Sequence, residues 1–147
     1  MEVEIRVVPG RKEPAVVIEA PALTGEAQAL AERIGALFPR PLTLWQGDRA
    51  VLTDPGAILR FYADGKGVLA QGRDDTRYTV RARLYELEER LDPHTFVRIS
   101  QSEIVNLRRV TALDLSLTGT IKMTLEGGTA CYVSRRYVKK IKEAVGL

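Results

Sequence analysis

Between Leu42 and Val80 no stretch longer than six residues escapes interruption by turn chemistry, and this spacing constrains the fold more than any other feature. Residues 42–45, 50–53, 57–62, 67–71 and 76–80 are separated by QGDR, DPG, ADGK and GRDD. Glycine reaches positive φ at no steric cost and Asp bonds its own backbone, so each interruption favours a tight reversal. Segments this short are poor helices and fit the strands of an antiparallel sheet joined by hairpins. A helix follows, with Leu84, Leu87 and Leu91 on one face and Asp92-Pro93 as its stop. Strands resume over 95–99, 110–117, 121–126 and 129–133, with Gly127-Gly128 marking another hairpin. Ser134 is placed to cap a last helix. Its apolar face is Tyr137, Val138, Ile141 and Val145, and Arg135, Arg136, Lys139, Lys140 and Lys142 lie opposite.

The start of the chain has a different rhythm. Val3, Ile5 and Val7 alternate with Glu2, Glu4 and Arg6, Pro9-Gly10 breaks the run, and residues 15–19 (AVVIE) supply a partner strand. Thr24 then caps a helix with Glu26 in its first turn and Ala27, Leu30, Ala31, Ile34 and Leu37 in helical period, stopped by Phe38-Pro39. This predicts a small ββα segment over residues 1–52 and a mainly β domain over 53–147. Too short to hold its own core, the first must dock on the rest of the chain or dimerise with a second copy.

Composition removes most alternatives. The single Cys, Cys131, excludes a disulfide framework, and the single His, His94, excludes a multi-histidine metal site. Cys131 is either a buried structural thiol or a redox sensor. No apolar run is long enough to span a membrane, and the N-terminus lacks a signal-peptide pattern, so a cytoplasmic protein is expected. The net charge is only +3, but residues 51–147 hold 16 Lys and Arg against 12 Asp and Glu. A basic end on a nearly neutral chain fits a polyanion partner or a solvated helix face. The Gly65–Gly67 triplet lacks the context of a phosphate loop. Ser100 or Ser102 with His94 would be the sole hydrolase arrangement.

The most informative residues lie in the last third. Phe96, Arg98, Ser102, Ile104, Val105, Asn106 and Leu107 form one block, and Val133, Ser134, Arg135, Arg136 and Tyr137 a second. In this order and spacing the chain resembles the LytTR family of bacterial transcription regulators, over roughly residues 54–147. The resemblance implies an elongated, antiparallel β domain with short helices. In that family three loops enter two successive major grooves and the minor groove between them. The implied contact regions here are the turn near Lys66, then Gln101, then Arg136, with double-stranded DNA as partner. No cofactor and no small-molecule substrate are implied.

Elementary chemistry agrees in part. Arg forks onto guanine O6 and N7 or onto phosphate, and Gln pairs with adenine N6 and N7. Backbone N–H groups at the last helix start, with Ser134, would attract a phosphate. The expected DNA-binding set is therefore Lys66, Ser100, Gln101, Ser102, Asn106, Ser134, Arg135, Arg136 and Lys139. Three members or neighbours have a second reading. Asn106 also suits a turn backbone bond, Arg98 an ion pair, and Lys139 a solvated face.

Two positions depart from the family pattern: Ser100 stands where a His is usual, and Glu103 replaces a bulky apolar residue, placing an acid beside the expected phosphate-facing loop. Fifty residues cannot hold a receiver domain, so no phosphoacceptor is expected. The rival reading is a protein-interaction module of the same fold, working with a membrane-protein partner and without DNA.

Overall fold

The computed structural model describes residues 1–11, 14–37 and 40–147. It comprises two units, Met1–Leu37 and Phe38–Leu147.

In the first unit the expected helix is present as α1 (Gly25–Ala36). Thr24 caps it as expected, its Oγ1 accepting from Ala27 N–H at 3.2 Å, with Glu26 in the first turn. The helix requires only local bonds, so its sequence signals suffice. The two expected strands are not there. Residues 1–8 and 14–20 pair with nothing among the described residues, although the turn between them begins as the sequence suggests. Arg11 N–H donates to Val8 O at 3.3 Å, and Gly10 has φ +89°. Alternation selects a face, but a strand also needs a neighbour, and the described residues supply none. Phe38-Pro39, the expected stop, lies outside the described residues; the helix ends with Leu37 as C-cap.

The second unit is mainly antiparallel β. One sheet contains β1 (Leu42–Gln46), β2 (Arg49–Thr53), β3 (Ile58–Asp64), β4 (Gly67–Gly72), β5 (Arg77–Val80), β6 (Phe96–Ser100) and β7 (Glu103–Asn106), in the order β2-β1-β5-β4-β3-β7-β6. The other holds β8 (Val110–Asp114), β9 (Ile121–Leu125) and β10 (Ala130–Val133), in the order β10-β9-β8. The β1–β2 hairpin joins the main sheet where Trp45 pairs with Thr79. The structural division therefore falls at Leu37 rather than at residue 52. Strand β7 has no counterpart in the sequence reading, because Ile104 and Val105 are both buried and erase the alternation that marks a half-exposed strand.

That two-sided burial organises the unit. One face of β3, β6 and β7 packs Ile58, Phe61, Phe96 and Ile104 with Leu84, Leu87 and Leu91 of α2 (Leu84–Arg90) and its end. Phe61 and Phe96 meet with ring centroids 5.8 Å apart. The opposite face packs Leu59, Val97, Ile99 and Val105 against Ile121, Met123, Leu125, Cys131 and Val133 of the three-stranded sheet. Ile141 of α3 (Val138–Ala144) closes this second core, as the apolar face of that helix requires. Three strands thus serve two cores.

Candidate nucleic-acid interface

Antiparallel pairing decides which turns share an end of the sheet. Strands β3 and β4 pair as far as Asp64 with Gly67, leaving the two-residue turn Gly65–Lys66. Gly65 takes φ +61° while Lys66 does not, the pattern of a type II′ hairpin turn. Strands β6 and β7 pair as far as Ser100 with Glu103, leaving Gln101–Ser102 as a second short turn. Because Tyr62 pairs with Glu103, both turns project from the same end. A main-chain bond joins them, Ala63 N–H donating to Ser102 O at 2.8 Å. The third region arrives through a bulge: between Arg98 and Ser100 the register shifts, leaving Ile99 extra. Its carbonyl accepts from Ser134 N–H at 2.9 Å, which ties the start of the last helical segment to the edge strand β6. Lys66, Gln101 and Arg136 therefore stand on neighbouring loops.

Arg98 shapes the middle loop. Its Nε donates to Ser100 O at 2.7 Å, one terminal nitrogen donates to Gln101 O, and the other pairs with Glu88 of α2. The side chain is only 14% exposed, so the ion-pair reading prevails, and the pair holds the turn. Ser100 Oγ lies 3.3 Å from Ser102 Oγ and accepts from Ser102 N–H, so the two hydroxyls bond each other rather than His94. Gln101 is exposed, and among the described residues its side chain makes no hydrogen bond.

Three expectations need correction, and the choice left open at Cys131 is decided. Asn106 is fully buried. Its Nδ2 donates to Ile58 O at 2.9 Å and its Oδ1 accepts from Arg108 N–H at 3.0 Å, so its amide serves the fold and cannot reach a base. Ser134 does not cap the helix. Its hydroxyl donates toward Ile99 O at 3.4 Å, and its carbonyl accepts from Tyr137 N–H in the 3₁₀ turn Arg135–Tyr137 that precedes α3. The phosphate site imagined at that helix start loses its hydroxyl. Glu103 does not face the loop surface as a free acid. It pairs with Arg60 at 3.0 Å, both side chains being about one-seventh exposed, and Arg60 also donates to Gln71 Oε1 at 2.7 Å. Cys131 is a buried structural thiol: burial first, then the Glu103 carboxylate, pushes its pKa up to about 12.

The cations at the third loop differ in freedom. Arg135 lies across Gly119, where a Cβ would come within 3.0 Å of its guanidinium and where φ is +74°. Arg136 is exposed and rests 5.8 Å from the centre of the Tyr137 ring. Lys139 is exposed on α3 and, with Arg135, Val138 and Lys142, lines an open cleft of about 530 Å³. Sequence reasoning missed Arg60 and Glu88, because each acts through a partner more than nine residues away. Among the described residues no helix is long and apolar enough to cross a membrane.

Residues 48–146 match the LytTr DNA-binding domain family, two thirds of the chain. The chain belongs to that family. The LytTr DNA-binding domain of a Bacillus cereus methyl-accepting/DNA response regulator superimposes with TM-score 0.69 at 21% identity, covering 74% of this chain and 98% of that one. At that identity the likeness shows the fold alone. An uncharacterized HTH-type transcriptional regulator of Staphylococcus aureus (strain bovine RF122 / ET3-1) is 30% identical over 100% of this chain and 99% of its own length. A second, from strain MSSA476, is 32% identical over 88% of each. These relatives extend the similarity across the segment before the LytTr match.

Proposed function

We propose that this chain is a transcription regulator that binds double-stranded DNA sequence-specifically through three loops at one end of its main sheet. One observation carries the reading: two main-chain bonds, Ala63 to Ser102 and Ser134 to Ile99, bring the Lys66 turn, the Gln101 turn and the Arg136 junction side by side. Their tips are exposed while their bases are fixed, which suits a rigid reading surface. Among the described residues of Phe38–Leu147 no two α-helices follow each other directly, since α2 lies between strands and α3 follows a 3₁₀ turn. A helix-turn-helix is therefore not what would enter the groove. The family and the relatives named transcriptional regulators support the wider role.

The roles divide by what each side chain can reach. Arg136 and Gln101 offer bidentate contacts to base edges, Lys66 offers a cation from the hairpin tip, and Arg135 and Lys139 offer charge to phosphates. Ser100 and Ser102 shape the turn, and Ser102 is exposed enough to add a phosphate contact. The test is a titration of the Arg136→Ala and Lys139→Ala variants on operator and scrambled duplexes at two salt concentrations. Arg136→Ala should lower operator affinity about tenfold or more and leave scrambled DNA nearly unchanged. Lys139→Ala should weaken both alike and reduce the salt slope by about one. Equal losses from both would demote Arg136 to a phosphate clamp. Absence of duplex binding at low salt would favour the protein-interaction reading.

A further inference from the structure

Among the described residues of its own unit, the N-terminal arm presents an apolar face that no strand covers. Val3, Ile5 and Val7 are 91%, 92% and 83% exposed, and the arm's backbone makes no ladder bond among the described residues. A segment outside any helix or sheet, with exposed apolar residues at every second position and backbone groups in no ladder, is a template for another strand. The sequence of the arm says which strand fits. If two copies run antiparallel with Ile5 opposite Ile5, Val3 of each copy faces Val7 of the other, and Glu4 faces Arg6 twice. Apolar pairs then gather on one face and opposite charges on the other, the arrangement that stabilises cross-strand pairs. Shifting the centre to Glu4 would place Glu4 against Glu4, and shifting it to Arg6 would oppose Arg6 to Arg6. Only the Ile5 centre satisfies every pair from residue 3 to residue 7. Within a single copy Glu4 and Arg6 meet only as an exposed pair at 3.5 Å.

We infer that residues 2–8 form a two-stranded antiparallel ribbon with the same residues of a second copy, centred on Ile5, making the protein a twofold homodimer. The interface is isologous and closes on itself. This inference is independent of the DNA reading, because its readout is association alone.

The experiment uses the full chain. Ile5→Cys should give a disulfide-linked dimer on mild oxidation, since residues directly opposite in an antiparallel pair lie within disulfide reach. Glu2→Cys, which faces Val8, should give far less, and the buried Cys131 should not contribute. By sedimentation equilibrium the wild-type chain should be a dimer. Arg6→Glu and Glu4→Arg should each weaken it about tenfold. The double exchange Glu4→Arg with Arg6→Glu should restore it. A monomeric wild-type chain overturns the inference, as does a dimer unmoved by the single exchanges. A dimer abolished instead by Leu52→Lys would assign the contact to the open edge of β2 and equally overturn it.

Discussion

Val3, Ile5 and Val7 repeat the spacing of Ile121, Met123 and Leu125, yet the first three are 91%, 92% and 83% exposed and the second three 1%, 0% and 1%. The alternation is the same and the outcome opposite. Strand β9 has β8 and β10 on either side, each reached through a short loop, and a layer of β3, β6 and β7 residues to receive its apolar face. The N-terminal arm has a turn and then a second stretch, and among the described residues the two do not pair. Period-two patterning thus specifies which side chains would be buried; the neighbours determine whether they are.

The sharpest way to break this contrast is to truncate one residue of each set. Met123→Ala should cost about 2–5 kcal/mol in a urea melt of the second unit, while Ile5→Ala should leave that transition within about 0.5 kcal/mol. Comparable losses would mean that the arm packs on the folded chain. The two ion pairs extend the comparison. Glu103→Ala strands Arg60 between the sheets and should cost about 2–3 kcal/mol, whereas Glu4→Ala should leave the same melt unchanged. Thiol reactivity and pH give a third measure. With reductant present, Ile5→Cys should label in the folded protein, but Cys131 only on unfolding.

The sign of the pH effect follows from the raised value of Cys131. Burial pushes the thiol from its ordinary 9.0 up to about 12 in the folded chain, so its contribution is complete below pH 9 and shrinks as pH rises towards 12. Cys131→Ala should flatten that decline in melts at pH 8 and about pH 10, and an unchanged slope would remove the thiol as its cause. The smallest effect belongs to α1. Thr24→Ala should cost about 1 kcal/mol of helix stability, seen as faster amide exchange at Ala27 without a shift in the main transition.

What was legible in the residues was local. The Gly65–Lys66 and Gly127–Gly128 turns, the Thr24 cap and the Leu84–Leu87–Leu91 face all depend on neighbours within a few positions, and all are present. The turns at Gln101 and Arg136 lie within the two blocks and the turn at Lys66 was implied by the resemblance, and main-chain bonds set the three on neighbouring loops. The contacts that overturned expectations are long-range. Asn106 is satisfied by Ile58, Glu103 by Arg60, and Ser134 by Ile99, each across more than thirty residues. A one-dimensional pattern shows that such a residue is polar, not what it will meet. Strand β7 was missed for a related reason, since a strand buried on both faces has no alternation to display.

The Gln101 turn is held by its own backbone carbonyls and by Ser100 Oγ, which accepts from Ser102 N–H. Arg98 grips the carbonyls of Ser100 and Gln101, and Ala63 grips that of Ser102, while the Gln101 side chain bears no part of the structure. The identity of position 101 is consequently free of folding constraints. Under the proposed three-loop reading, exchange of that residue changes which base is favoured while the main-chain bonds that hold the loop remain. On that reading, target sites diverge by a single codon change rather than by a remodelled scaffold.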